Sequence, residues 1–168
     1  MGFGEKWKNW ILACLGSASI SILVNGSPTK EFKLEKGVRQ GEPLSPFLFI
    51  HAAKGLNWLT KASINKGLFI GVEVGSDEVP VSILQYADDT IFFEKWDSNN
   101  IRSLLTLLKC FELTSGLKVN YNKSNLFGIG VDVHEIEDMA RMFGCKVGTL
   151  PFTYLGLSIG ANMNKMGS

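Results

Sequence analysis

The run Val81–Phe93, VSILQYADDTIFF, sets two adjacent carboxylates, Asp88 and Asp89, inside an otherwise apolar stretch. A carboxylate taken out of water without a partner is strongly unfavourable, so this run cannot cross a core as one continuous strand. It must turn at the aspartates or hold a cation against them. The β-branched and aromatic residues on either side favour two short strands, Val81–Tyr86 and Thr90–Phe93, with Ala87, Asp88 and Asp89 at their junction. Two readings of the pair follow from the residue types alone. Asp is a favoured turn residue that satisfies its own backbone. Two carboxylates at a hairpin tip can also flank one divalent cation, and Mg²⁺ suits such oxygen ligands because it keeps waters that substrate phosphates can replace.

The rest of the chain reads as strands mixed with helices. Trp7, Trp10, Ile11 and Cys14 fall at helical spacing before Gly16, and Ala18–Val24 alternates like a half-buried strand. The turn "NGSP" leads into a returning strand with Phe32 and Leu34, making a hairpin. Ser45 and Pro46 are suited to open a helix that carries Leu48, Ala52, Leu56 and Leu59 and stops before Gly67. Phe69–Val74 reads as a strand. Asp97 caps a helix with Ile101, Leu104, Leu105 and Leu108 on one face, ended by Gly116. "NLFGIG" reads as a further strand, and Asp132 with Glu135 resembles a capping box opening a helix with Ile136, Met139, Ala140 and Phe143. The expected class is α+β, a mostly antiparallel sheet packed by helices. At 168 residues, 45% hydrophobic and 20% charged, one ordinary domain, or part of one, is the natural unit.

Charge is unevenly spread. Residues 1–66 carry nine Lys/Arg against four acids, and residues 67–168 eight against twelve. The basic part is either a solvated face or a surface for a polyanion. Cys14, Cys110 and Cys145 are scattered and odd in number, which suggests neither a disulfide framework nor a zinc site. The apolar run after Lys6 and Lys8 superficially resembles a signal peptide, but its Ser/Ile alternation describes a strand better, and no run approaches the length of a membrane span.

A second feature is the loop "GVRQGEPLSP". Gly37 and Gly41 permit positive φ or close backbone approach, and Arg39 and Gln40 between them offer a charge and an amide. Read by itself, it is a stiff loop feeding a helix or a contact for phosphate, sugar or base. Taken with the Tyr-Ala-Asp-Asp turn, it resembles the palm domain of reverse transcriptases, specifically those of plant LINE-type, non-LTR retrotransposons. "GVRQGEPLSPFLF" resembles the loop and helix that follow the first catalytic strand, and "YADD" the catalytic hairpin. "SGLKVNYNKSNLFGIG" and "LPFTYLGLSIG" resemble the two segments that come next, in the family's order. Glu42 and His51 depart from the usual pattern, which more often has Asp and an aliphatic residue there.

The resemblance implies an RNA-directed DNA polymerase acting on an RNA template, a DNA primer and deoxynucleoside triphosphates, with Mg²⁺ as cofactor and no membrane. It implies Asp88 as the main metal ligand of the hairpin, Asp89 as its neighbour that either ligates or tunes the site, and Tyr86 near the primer end. Arg39, Gln40 and Gly41 would lie by the template and incoming nucleotide. Lys123 is either a support for the pyrophosphate or a solvated lysine. On this likeness residues 1–168 form a partial palm, an incomplete polymerase domain without the fingers and the first catalytic strand. The expectations that follow are little or no polymerase activity alone and poor solubility from an uncovered sheet edge. The competing expectation is a non-catalytic nucleic-acid-binding remnant that uses Lys30, Lys33, Lys36 and Arg39.

Overall fold

The computed structural model of the chain describes residues 2–34 and 41–160. Helix α1 (Glu5–Gly16) leads into a long hairpin made of β1 (Ser19–Ile20), β2 (Leu23–Val24), β3 (Ser27–Pro28) and β4 (Phe32–Lys33). Asn25 and Gly26, at φ +50° and +80°, close its tip, as the twist of a tight hairpin demands. The alternation over 18–24 is interrupted: Ser21 and Ile22 separate β1 from β2, and the Thr29 hydroxyl accepts from the Ile22 amide in place of a ladder bond.

Helix α2 (Leu44–Asn65) follows. It begins earlier than Ser45 capping would have it. Pro43 already holds helical angles, φ −57° and ψ −29°, and makes no side-chain cap, because the ring presets φ for a first turn whose amides need no intrahelical partner. Gly67, at φ +66°, ends the helix as expected. The hairpin β5 (Val72–Val74)–β6 (Val79–Val81) and the hairpin β7 (Ile83–Tyr86)–β8 (Asp89–Phe92) then run into helix α3 (Ser98–Ser115). Of the strand read over 69–74 only its end is paired. Phe69 instead plunges into the core at 1% exposure, and Gly71 passes the base of the next hairpin so closely that a Cβ there would lie 2.6 Å from the Val81 carbonyl oxygen.

After a 3₁₀ turn at Tyr121–Lys123 come β9 (Asn125–Leu126), helix α4 (Val133–Phe143), β10 (Lys146–Val147) and the hairpin β11 (Phe152–Tyr154)–β12 (Leu157–Ile159). Only two residues of "NLFGIG" form a strand, and they pair in parallel with β10 across α4. The capping box does not close. The Asp132 carboxylate accepts from the His134 amide, while Glu135 reaches away and accepts from the Trp96 indole N–H at 3.1 Å.

The architecture is α+β. Among the described residues the strands pair two by two, and every pair but β9–β10 is antiparallel. The core lies where α2 and α3 meet the strands: Leu56, Phe69, Leu104, Leu107, Leu108 and Phe111, with Ile83 and Phe92 packed against them. Leu107 and Phe111, rather than Leu105, sit at the centre of the buried stripe of α3. Asp97 caps α3 as expected, accepting from the amides of Asn99 and Asn100. No helix of the described residues is long and apolar enough to cross a membrane.

Candidate active site

The β7–β8 hairpin builds the site from its register. Ile83 pairs with Phe92, Leu84 with Ile91, Gln85 with Thr90, and Tyr86 with Asp89. Ala87 and Asp88 alone form the connection, so Asp89 is the first residue of β8 rather than part of a three-residue junction. Ala87 takes φ +50°, the positive value that lets a two-residue loop follow the twist of its strands. Since side chains alternate between faces, Ile83 and Phe92 anchor one face on the core, and Tyr86 and Asp89 stand together on the other. The Phe93 amide donates to the Ser82 carbonyl at 3.0 Å and continues the ladder at the base. The aspartates are thus held at the free end of a hairpin whose root is buried.

Asp88, Asp89 and Tyr86 are all exposed. Neither carboxylate accepts a hydrogen bond or pairs with a cation among the described residues. Two adjacent negative charges without a compensating group suit a hard divalent cation that brings its own waters. The same residues assemble no group of three or more His, Cys, Asp or Glu able to close around such an ion.

One neighbour escaped the sequence reading. Tyr154, on β11, carries a hydroxyl shielded from solvent with no hydrogen-bond partner among the described residues. Its pKa is raised, first by desolvation of the hydroxyl and then by the negative charge of Asp89. The only sequence signal was the aromatic content of "FTYLG".

Glu94 also escaped it. Just beyond β8, its carboxyl is largely buried, its Oε2 has no partner among the described residues, and desolvation pushes its pKa up to about 7. The folded chain therefore keeps this proton up to about pH 7, whereas the unfolded chain releases it near 4.5. Between these values the native state binds more protons, so stability falls as pH rises. Its contribution is fully present below pH 4.5 and lost above 7. Allowing for screening of a partly exposed group, wild type should lose about 2 kcal/mol across this window that Glu94→Gln keeps. Urea unfolding of both chains at pH 4.5 and 8 measures the difference, and parallel pH profiles would contradict it.

The remaining expected site residues are less closely gathered. Gly41, at φ +84°, is exposed at the entry to α2, with open space where a Cβ would stand. Arg39 and Gln40 lie outside the described residues, as does Lys36. Lys123 ends the 3₁₀ turn, exposed, its amide bonded to the Asn120 carbonyl. No hydrogen bond or ion pair among the described residues joins it to Asp88 or Asp89. Lys30 and Lys33 are exposed on the β3–β4 arm.

Comparison with known proteins gives these features a context. Residues 1–159 match the family model described as reverse transcriptase (RNA-dependent DNA polymerase). The chain is 34% identical over 125 residues to a retrovirus-related Pol polyprotein from the type-1 retrotransposable element R2 of Popillia japonica, covering 74% of this chain and 17% of that polyprotein. It is 31% identical over 109 residues to an uncharacterized mitochondrial protein of Arabidopsis thaliana, covering 65% of this chain and 88% of that protein. The chain therefore spans a small part of the polyprotein and most of the plant protein's length. Reverse transcriptases work on a nucleic-acid template with nucleotide substrates and divalent metal ions. The match over nearly the whole chain, with the Tyr-Ala-Asp-Asp turn at the tip of a core-anchored hairpin, places this protein in the reverse transcriptase family, in its non-LTR retrotransposon branch.

Proposed function

We propose that this chain is a partial palm of an RNA-directed DNA polymerase and that Asp88 and Asp89 are its contribution to a Mg²⁺-dependent nucleotidyl-transfer site. The observation that carries this reading is the pair of exposed, uncompensated carboxylates at the end of a hairpin rooted in the core. Bound Mg²⁺ would supply Lewis-acid stabilisation of the phosphoryl oxygens and of the leaving pyrophosphate. Asp88, at the turn, would be the principal ligand, and Asp89, the first residue of β8, would ligate beside it or tune the site. Tyr86, on the same face as Asp89, packs against the primer end. Arg39, Gln40 and Gly41 serve the template and incoming nucleotide, and Lys123 offsets charge on the pyrophosphate. Rigid anchorage through Ile83 and Phe92 keeps the carboxylates in place without reorganisation.

Two carboxylates from one turn hold a cation loosely, so extension by this chain is expected to be slow. The test is extension of a labelled DNA primer on an RNA template, with Mg²⁺ and with excess chelator. Template-dependent incorporation that requires Mg²⁺ supports the proposal. Salt-sensitive RNA binding with no incorporation at any Mg²⁺ concentration overturns it in favour of a chain that only binds nucleic acid.

A further inference from the structure

Helices α2 and α3 leave between them an open groove of about 450 Å³, to which neither β7 nor β8 contributes a wall. Its apolar part is the half-buried Leu59 of α2, Leu107 of α3, and Leu68 from the connection after α2. Leu68 is 57% exposed, so apolar surface here still faces water. Arg102 is the only cation on the lining, and its guanidinium has no hydrogen bond, ion pair or ring contact among the described residues. The side-chain polar groups of Asn99, Ser103 and Ser63 are likewise unpartnered among the described residues, Asn99 engaging only its backbone amide with Asp97. No carboxylate and no aromatic ring of the described residues lines the groove. Cys110, exposed, lies on the same lining eight residues along α3 from Arg102.

We propose that this groove binds a medium-chain aliphatic carboxylate, its head group on Arg102 and its tail over Leu59, Leu68 and Leu107 toward Cys110. One guanidinium fork matches one carboxylate through two parallel N–H···O bonds. Asn99, Ser103 and Ser63 offer donors for the lone pairs that arginine leaves. A phosphate dianion calls for a second cation, and a base calls for a ring to stack on, so nucleotides and nucleic acid are poor occupants. Between Arg102 and Cys110 the helix rises about 12 Å, which an extended chain of about ten carbons spans. The volume falls in the range of small-ligand sites, whereas an amphipathic acidic helix, about 10 Å across, asks for a longer trough. The site is separate from the Asp88–Asp89 turn, and its occupancy requires neither metal nor template.

The test is alkylation of the full chain by a maleimide, read by mass spectrometry of the cysteine peptides, with sodium decanoate added below its micellar concentration. Decanoate should protect Cys110 saturably, while Cys14, exposed and outside the groove, reacts at its unliganded rate. Arg102→Gln removes the charge-assisted bonds at an exposed position, so half-protection should need about tenfold more decanoate. Leu68→Asn, also at an exposed position, should raise the requirement about threefold. Unchanged half-protection in both variants overturns the placement. Decanol protecting as well as decanoate overturns the head-group contact, and decyl phosphate protecting better overturns the choice of carboxylate. Protection of Cys14 together with Cys110 marks detergent-like coating and overturns the site, as does no protection at all. Stronger protection by a leucine-rich glutamate peptide than by decanoate overturns the small ligand and assigns the groove to an acidic helix.

Discussion

Replacing Asp88 by Asn should lower Mg²⁺-dependent primer extension by more than about a hundredfold while leaving the fold intact. The substitution keeps the shape of the side chain and removes its charge. Losing even a residue that only supports a metal ligand commonly costs tenfold to about a hundredfold, so losing a ligand carboxylate costs more. Asp88 is exposed at the turn and has no partner among the described residues, so its replacement should shift stability by no more than about 0.5 kcal/mol. Asp89→Asn should impair extension less and should also lower the Tyr154 pKa, because the charge that helps to raise it is gone. Spectrophotometric titration of tyrosine in both variants and Tyr154→Phe checks the second effect, and single-turnover extension checks the first. Full activity in Asp88→Asn would remove the hairpin from the chemistry.

Asn100→Ala should destabilise the protein by about 3 kcal/mol, the largest loss we expect from a polar residue. Asn100 is 4% exposed at the start of α3. Its Oδ1 accepts from the Ile70 amide at 2.8 Å, and its Nδ2 donates to the carbonyls of Ile70 at 2.8 Å and Lys95 at 3.0 Å. One amide therefore joins α3 to the segment before β5 and the segment after β8, where the Lys95 amide also donates to Ile70. Truncation strips the Ile70 amide and the Lys95 carbonyl of their partners and leaves the Ile70 carbonyl with the Lys95 amide alone, in a part-buried place where each lost bond is worth about 1 kcal/mol or more. Asn100→Asp should be nearly as damaging, since a carboxylate cannot donate to either carbonyl. Urea midpoints measure the loss. Because the clamp holds the base of the β7–β8 hairpin, the variant should also show earlier amide exchange at Ile91 and Phe92 than in α4. A change below about 1 kcal/mol would show that water replaces the clamp at little cost.

Local chemistry made much of this fold legible. Asn25-Gly26 forms a tight turn because both positions take positive φ, Asp97 and Gly116 bracket α3 through capping, and the stop at Gly67 follows from the same backbone freedom. The Tyr-Ala-Asp-Asp turn was readable for the same reason: apolar strands on both sides leave two carboxylates nowhere to go but the tip. Its likeness to reverse transcriptases came from motif order along the chain, which needs no three-dimensional information.

What the tertiary structure decided were matters of register and long-range contact. It placed Asp89 in β8 opposite Tyr86 and confined the strands read over 69–74 and 125–130 to short paired ends. It turned Glu135 from a capping partner into an acceptor for Trp96. It isolated Glu94 in a desolvated position, put Tyr154 under the influence of the Asp89 charge across more than sixty residues, and made Asn100 a clamp between segments thirty residues apart. Periodicity and capping depend on neighbours a few positions away, so the sequence carries them directly. Pairing partners, desolvation and shared charge depend on which distant surfaces meet, and only the packed chain settles that.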